Sequence, residues 1–527
     1  MRFSMSNKNK NTNFDLGRWL GEQWAGLRTQ IKKKQFKHGV LAVILTVLFI
    51  AGVVLLNVVS MYAVERVPQL SPDLTAGDIY TLSDETIDLL GSLDEDVRIY
   101  IFASENDCKN PSTDVDPYQQ IPMAYELIKR YQQHSDHIEI INIDLATQPG
   151  YLDIFSEYRD LLGQYSVAVE SHKRTRVTSF YEFLPSLSAT TMTDSMSIDV
   201  DSSVTETCIS SLIKTVTVDT TPKAVFLDGL GSSSEVDYLL NSLYINGFDI
   251  SSIDFRSEDI PADAQLVIIA SPEYDLTLDQ CERLEKFLVG SEALGKSFLL
   301  LSSQYMPSTP NLDALLEDWG IVATRDVVYE GESEYVLAGS DASVFHVQYA
   351  EGEYTNDIID RGLVTVVENA FEYKMPTQVK GDYIINPILA SSQTGYVRKA
   401  NDVSGQFSTD GLTADRRYIM LQSTYYIENP DGSYKRSDII AAPLSLCYEE
   451  YFSSGAYRGN FNLLMNVCNY RCGIEDQSIN IAAKSLTAVD FAVDSDIIRI
   501  TTAIFGYVIP LAVLAAGVVV YIRRRSL

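Results

Sequence analysis

The stretch "AVFLDGLGSSSEVDYLL", residues 224–240, reads as strand, glycine loop and helix, the local order in which α/β proteins hold phosphates. Gly229-Leu230-Gly231 followed by Ser234 falls one glycine short of G-x-G-x-x-G, and the missing glycine is the one that lets helix and strand pack closely. Asp254 lies about where a ribose-binding carboxylate would. Against a nucleotide stands the capping-box spacing of Ser232 and Glu235, which engages part of the loop's donor capacity with its own residues. No G-x-x-x-x-G-K-[ST] occurs in the chain. The structural reading of the loop is preferred, and no cofactor is expected.

Outward from this loop the pattern continues as an α/β unit: "KAVFLDG", a helix, "FDISSIDF", "AQLVIIASP", a helix, "SFLLLSSQ". Near-continuous apolar strands such as "LVIIA" and "FLLLS" predict a parallel sheet covered on both faces. Further on, "RYIMLQSTYYI" and "DIIAAPLSL" are strand-like and "NFNLLMNVCNYRC" is helical, within a Tyr-rich region whose boundaries are poorly marked. On the N-terminal side, "SDETIDLLGSL" is a helix with Ser83 as N-cap and acids in its first turn. The strand "DVRIYIFAS", the helix "PYQQIPMAYELIKRYQQH", the strand "HIEIINID" and the helical "DIFSEYRDLL" follow. "QYSVAVES" and "RTRVTSFYEFL" form a hairpin, and the helix "VTETCISSLIKTV" closes the unit before the linker "DTTPK". This β-α-β-α-β-β-α order is thioredoxin-like. No Cys-x-x-Cys is present, so no disulfide chemistry is expected.

The ends of the chain set the expected location. Gly39–Val64 is 26 residues without a charge, and Thr501–Ile522 is a second uncharged run, interrupted by Pro510. At about 1.5 Å per residue each is long enough for a hydrocarbon core of about 30 Å. "KKKQFKH" precedes the first run and Arg523–Arg525 follow the second, so the positive-inside rule puts both termini in the cytoplasm. The expectation is a plasma-membrane protein with two spans and residues 65–500 outside, where nucleotides are scarce. The first 38 residues hold nine Lys/Arg against two Asp/Glu, while the chain carries a net charge of −30, so the outer segment is strongly acidic. Such a surface repels nucleic acid and anionic headgroups. Before the first run, Leu16, Leu20, Trp24, Leu27 and Ile31 fall on one helical stripe beside Trp19, with cations at its end. That helix either lies in the interface or docks on another membrane subunit, with Trp19, Leu20, Trp24, Leu27 and Ile31 as the docking residues.

Candidate chemistry is thin. The turn after "SFLLL" is Ser302-Ser303-Gln304, without the glycines of a nucleophile elbow. Cys281 lies in "TLDQCERLEKFL", a helix capped by Thr277 and Gln280, and its spacing from Leu278 and Leu284 marks it as core. Cys108, Cys208, Cys447, Cys468 and Cys472 are the other cysteines; Cys468 and Cys472 share a helix face, and buried free thiols are preferred over a metal site. The outer segment holds only His134, His137, His172 and His346. Asp114/Asp116 and Asp199/Asp201 lack the D-x-D-x-D-G loop and read as solvated acids.

"DLTAGDIYTLSDETIDLLGSLDEDVRIYIFAS" (Asp73–Ser104) and "TETCISSLIKTVTVDTTPKAVFLDGLGSSSEVDYLLNSL" resemble segments of the auxiliary components of ABC transporters related to the gliding-motility protein GldG. "LVIIASPEYDLTLDQCERLEKFL", "GNFNLLMNVCNY" and the arginine-ended terminal run fit the same family, and the resemblance covers nearly the whole chain. Where that family has Gly-x-Gly-Glu, this chain has Gly229-Leu230-Gly231-Ser232, a departure that puts the role of the turn in doubt. The resemblance implies a second domain similar to class I glutamine amidotransferases without the catalytic cysteine, and separate ATPase and permease subunits.

The expected architecture is therefore α/β with two spans. It comprises a cytoplasmic amphipathic basic helix (1–38), a transmembrane helix (39–64), a thioredoxin-like domain (65–218), an amidotransferase-like, flavodoxin-like domain (219–475), a linker (476–500), a second transmembrane helix (501–522) and a cytoplasmic tail (523–527). The expected function is a non-catalytic auxiliary membrane subunit of an ABC-type transport system, binding substrate, an envelope component or a partner subunit. An amidotransferase-like hydrolase and an envelope sensor or scaffold are the alternatives.

Overall fold

A computed structural model of the chain describes residues 44–55, 58–59, 80–111, 120–180, 202–203, 205–231, 234–290, 295–376, 383–400, 408–428, 431–432, 434–452, 457–474, 484–485 and 523. The chain divides into two compact units, Met1–Pro72 and Asp73–Leu527.

In the first unit residues 44–55 are helical, and apolar side chains such as Leu48 and Phe49 are exposed. At about 1.5 Å per residue the described stretch 44–55 rises about 18 Å, against the roughly 30 Å of a hydrocarbon core, and residues 58–59 are helical as well. Among the described residues no helix is long and apolar enough to cross a membrane. This overturns the two-span membrane fold, and with it the plasma-membrane placement, the cytoplasmic termini and the extracytoplasmic assignment of residues 65–500. The run 501–522 lies outside the described residues, as do residues 39–43, 56–57 and 60–64 of the first run and the stripe of Trp19, Leu20, Trp24, Leu27 and Ile31.

The second unit is mixed α/β. It opens with α1 (Asp84–Gly91), where Ser83 caps the helix by accepting from the Thr86 amide. Then come β1 (Val97–Ile101), α2 (Ile121–His134), β2 (Ile138–Asn142), β3 (Ser166–Glu170), β4 (Thr175–Ser179) and α3 (Thr205–Thr217). The four strands form one sheet in the order β2-β1-β3-β4, with β1 and β2 parallel and β3 antiparallel to both of its neighbours. Alternation along β1 explains its two faces. Val97, Ile99 and Ile101 enter a core with Tyr125, Ile128 and Tyr131 of α2 and Ile209, Leu212 and Ile213 of α3. Tyr100 instead joins Phe102, Phe155 and Val177 on the other face.

A larger, 11-stranded sheet follows. Its strands and helices run β5 (Lys223–Asp228), α4 (Asp237–Ile245), β6 (Asp249–Asp254), β7 (Leu266–Ala270), α5 (Leu278–Val289), β8 (Ser297–Ser302), α6 (Pro310–Asp318), β9 (Val322–Tyr329), β10 (Phe371–Lys374), β11 (Tyr383–Ala390), β12 (Tyr396–Arg398), β13 (Tyr418–Glu428), β14 (Tyr434–Pro443) and the helix α7 (Arg458–Cys472). The path is β12-β9-β10-β13-β14-β8-β7-β5-β6, with β11 pairing on β13 and the short strand Gln348–Tyr349 on β11. From β14 to β6 all neighbours are parallel, whereas β13 and the strands beyond it are antiparallel.

The parallel half is buried on both faces, and residue parity sorts its side chains. Leu266, Ile268, Leu299 and Leu301 pack with Leu239 and Leu243 of α4 and Leu463, Leu464 and Val467 of α7. Val267, Ile269, Phe298 and Leu300 pack with Leu284 and Leu288 of α5 and Leu312, Leu316 and Trp319 at the end of α6. The capping box Thr277–Gln280 starts α5. Cys281 and Leu284 are buried there, but Leu278 is 69% exposed. As the first residue of the helix it precedes the stripe of Cys281, Leu284 and Leu288, so the expected Leu278 core contact is corrected.

The two sheets meet through α3 and α4. Ile245 of α4 is buried in the core of the first sheet, and Arg176 of β4 reaches Asp249 at 2.5 Å with its guanidinium 4.6 Å from the centre of the Tyr244 ring.

Candidate functional site

The glycine loop after β5 is closed by its own neighbours. Gly229 and Gly231 have φ of 84° and 73°, and a Cβ at 229 would lie 2.2 Å from Asp254 Oδ1. Asp254, at the ribose-carboxylate position, accepts from Arg256 Nε and from its terminal nitrogen, each at 2.9 Å. A Cβ at 231 would lie 2.8 Å from Glu273, and the Glu273 amide donates to Leu230 O at 2.9 Å. The loops after β5 and β7 therefore bridge the crevice at the strand ends, where ligands of open α/β sheets usually sit. The 3-10 turn Ser234–Val236 leads into α4, and Ser232 of the expected capping box lies outside the described residues.

The thiols are sequestered. All six cysteines are free and buried. Burial pushes the Cys281 thiol up to about 11 and those of Cys108 and Cys472 up to about 12, and Cys447 and Cys468 are raised by the same cause. A thiolate is the nucleophile, so these groups are held in their unreactive form. Of the histidines, His137 Nδ1 meets Asp96 at 2.9 Å and His172 pairs with Glu95. His346 Nδ1 is buried without a hydrogen-bond partner, and burial lowers the pKa of both His346 and His134. No group of three or more potential metal ligands occurs among the described residues. Asp114, Asp116, Asp199 and Asp201 lie outside them.

Of the expected turn Ser302-Ser303-Gln304, Ser302 Oγ contacts Tyr373 Oη at 2.6 Å. Ser303 Oγ contacts Ser271 Oγ, also at 2.6 Å. Ser271 directly follows β7 at φ 44°, a left-handed conformation for a residue that also precedes proline. The sequence reading passed over this serine. Its signal is an all-buried strand that stops at Ser-Pro.

A polar cleft lies elsewhere, beside the antiparallel half of the sheet. Its volume is about 420 Å³, and its walls come from residues 350–355, from Asn386–Ile388 of β11, from Gln422, Thr424 and Tyr426 of β13 and from Arg436 of β14. Beneath it sits a buried charge network. Arg471, at the end of α7, donates to Asp438 Oδ2 at 2.8 Å and also to Glu353 Oε1. Asp438 Oδ1 accepts from Thr424 Oγ1 at 2.6 Å and Gln422 Nε2 at 2.7 Å. Burial opposes the charge of Arg471, but the attraction of Asp438, Tyr354 and Glu353 outweighs it and raises the guanidinium pKa. The guanidinium carbon stands 5.0 Å from the centre of the Tyr354 ring. Arg436 meets Glu353 only at 3.8 Å.

This arrangement brings together residues 118 positions apart, as Arg471 and Glu353 are, and the sequence reading singled out none of them. The one local signal was the helix "NFNLLMNVCNYRC", which places Arg471 four residues after Val467 and hence on the sheet-facing side.

A family profile described as "Domain of unknown function (DUF7088)" matches residues 76–189, the part of the chain built around the four-stranded sheet. No curated protein matches the chain. Among solved structures, one titled "mmIFT52 N-terminal domain" is 14% identical, with 49% of this chain and 99% of that chain covered and a TM-score of 0.34.

Proposed function

We propose that the chain is a non-catalytic auxiliary subunit of an ABC-type transport system that binds a small polar ligand, with the ATPase and permease on separate chains. The observation that favours binding is the cleft over the Arg471–Asp438 network. Two of its lining residues, Gln422 and Thr424, are held by hydrogen bonds to Asp438 before any ligand arrives, which lowers the cost of ordering them. The transport assignment is supported by the GldG-like segments, beginning with Asp73–Ser104. Purification of the chain from its native host at endogenous levels tests it. An ABC ATPase and its permease should accompany the chain, and replacing Trp24 and Leu27 by Ser should reduce their recovery. A chain recovered without either subunit would sink the transport reading.

One observation favours a second reading, a hydrolase. Ser271 is held at φ 44° at a parallel-strand end, the strained setting in which α/β hydrolases present a nucleophile. Its hydroxyl meets that of Ser303, and among the described residues no histidine or carboxylate hydrogen-bonds to either. A nucleophilic serine needs an adjacent base, so the binding reading ranks first. Ester or amide hydrolysis by the purified chain that disappears in Ser271→Ala would reverse this order.

A further inference from the structure

We infer that the cleft at residues 350–355 binds a neutral polyhydroxylated ligand, a saccharide unit, through Arg436, Glu353 and Asn386. The inference rests on reading the chain as a ligand-binding subunit and names the ligand class. Its basis is the pairing of opposite charges inside one cleft. Arg436 and Glu353 approach to 3.8 Å, too far for a good hydrogen bond and close enough for one oxygen to contact both. A carboxylate or phosphate placed at Arg436 would meet the Glu353 charge, and an ammonium placed at Glu353 would meet Arg436. A hydroxyl satisfies both, because it donates to the carboxylate while it accepts from the guanidinium.

The neighbouring groups extend the same pattern. Asn386, directly across the strand pair from Gln422, adds an amide with both a donor and an acceptor end. Glu351, in the same segment as Glu353, adds an acceptor, and Tyr426 is a further lining residue with an aromatic ring. Two carboxylates already have a partner, since Arg471 holds both Asp438, beneath the cleft, and Glu353, a partly exposed lining residue. A bound polyol therefore meets both donors and acceptors among the lining residues and no uncompensated buried charge. The volume of about 420 Å³ falls within the range of small-molecule sites, about 300–1,000 Å³.

Isothermal titration calorimetry of the full chain tests this, with maltose, cellobiose and N,N′-diacetylchitobiose as probes and with glutamate and spermidine for comparison. At least one disaccharide should bind with a dissociation constant below about 10 mM. Arg436→Ala and Asn386→Ala, whose side chains are not part of the buried network, should each weaken that binding about tenfold while the thermal unfolding midpoint stays close to that of the parent. Failure of all three disaccharides overturns the inference, as does tighter binding of glutamate or spermidine, or saccharide binding that survives both substitutions. The result is independent of the transport reading. Loss of ATPase recovery with retained saccharide binding would sink only that reading, and the converse only this one.

Discussion

Arg471 and Asp438 meet at 2.8 Å with side chains 0% and 3% exposed, so the charge pair lies wholly beneath the surface of the cleft. A buried pair is weak evidence for net stabilisation, but removing one partner strands the other. Here Asp438 also orients Gln422 and Thr424, two walls of the cleft. Asp438→Ala should therefore lower stability by about 3–5 kcal/mol, measured by denaturant unfolding. The paired replacement Asp438→Leu with Arg471→Met should recover much of that loss. A single substitution costing less than about 1 kcal/mol would show that the pair is hydrated and the cleft floor is not fixed.

The capping box at the start of α5 offers a local test. Thr277 Oγ1 accepts from the Gln280 amide at 3.2 Å, and Gln280 Oε1 accepts from the Thr277 amide at 2.8 Å. Thr277→Ala leaves the Gln280 amide without its acceptor, while the backbone amide of residue 277 keeps Gln280 Oε1, and should cost about 1 kcal/mol. Gln280 is buried and its Nε2 also donates to Phe255 O, so Gln280→Ala should cost more than Thr277→Ala. Equal costs would mean that the Phe255 contact contributes nothing.

How much of this was legible beforehand varies with the range of the interactions. The strands "LVIIA" and "FLLLS" announce themselves because burial on both faces demands an apolar residue at every position. Ser83 and Thr277 mark helix starts because capping is a contact over three residues. The cleft has no such local mark. Glu353, Asp438 and Arg471 look like solvated charges until the antiparallel strands bring them together. Leu278 misled because helical spacing assigns a face but not where the face first meets a neighbour. Within the apolar run 39–64 the expectation of a span rested on absence of charge alone, and among the described residues no helix is long and apolar enough to cross a membrane.

Thiol chemistry tests whether burial keeps every cysteine inert. With all six thiols buried and Cys281 pushed up to about 11, an alkylating reagent near neutral pH should label the native chain slowly. Six thiols should react after denaturation. Rapid labelling of a single native cysteine would reveal an activated thiol and reopen a covalent mechanism.

His346 supplies the pH dependence. It lies in the short strand Val344–His346, its Nδ1 is buried without a hydrogen-bond partner, and the Tyr457 ring is centred 6.2 Å away. Burial lowers its pKa below the ordinary 6.5, so the folded chain takes up this proton later than the unfolded chain as pH falls. The unfolded state then binds more protons between the two values, and stability must rise with pH across that window. The contribution is constant above 6.5 and declines as pH drops from there toward the lowered folded value. His134 shifts in the same direction, so the total slope is not diagnostic; the difference between parent and variant is. His346→Gln removes one titrating group, and unfolding free energies measured from about pH 7.5 to about pH 5 should show the variant losing less stability than the parent. Parallel curves would mean that His346 titrates alike in both states. A steeper loss in the variant would mean that the imidazolium is stabilised in the fold.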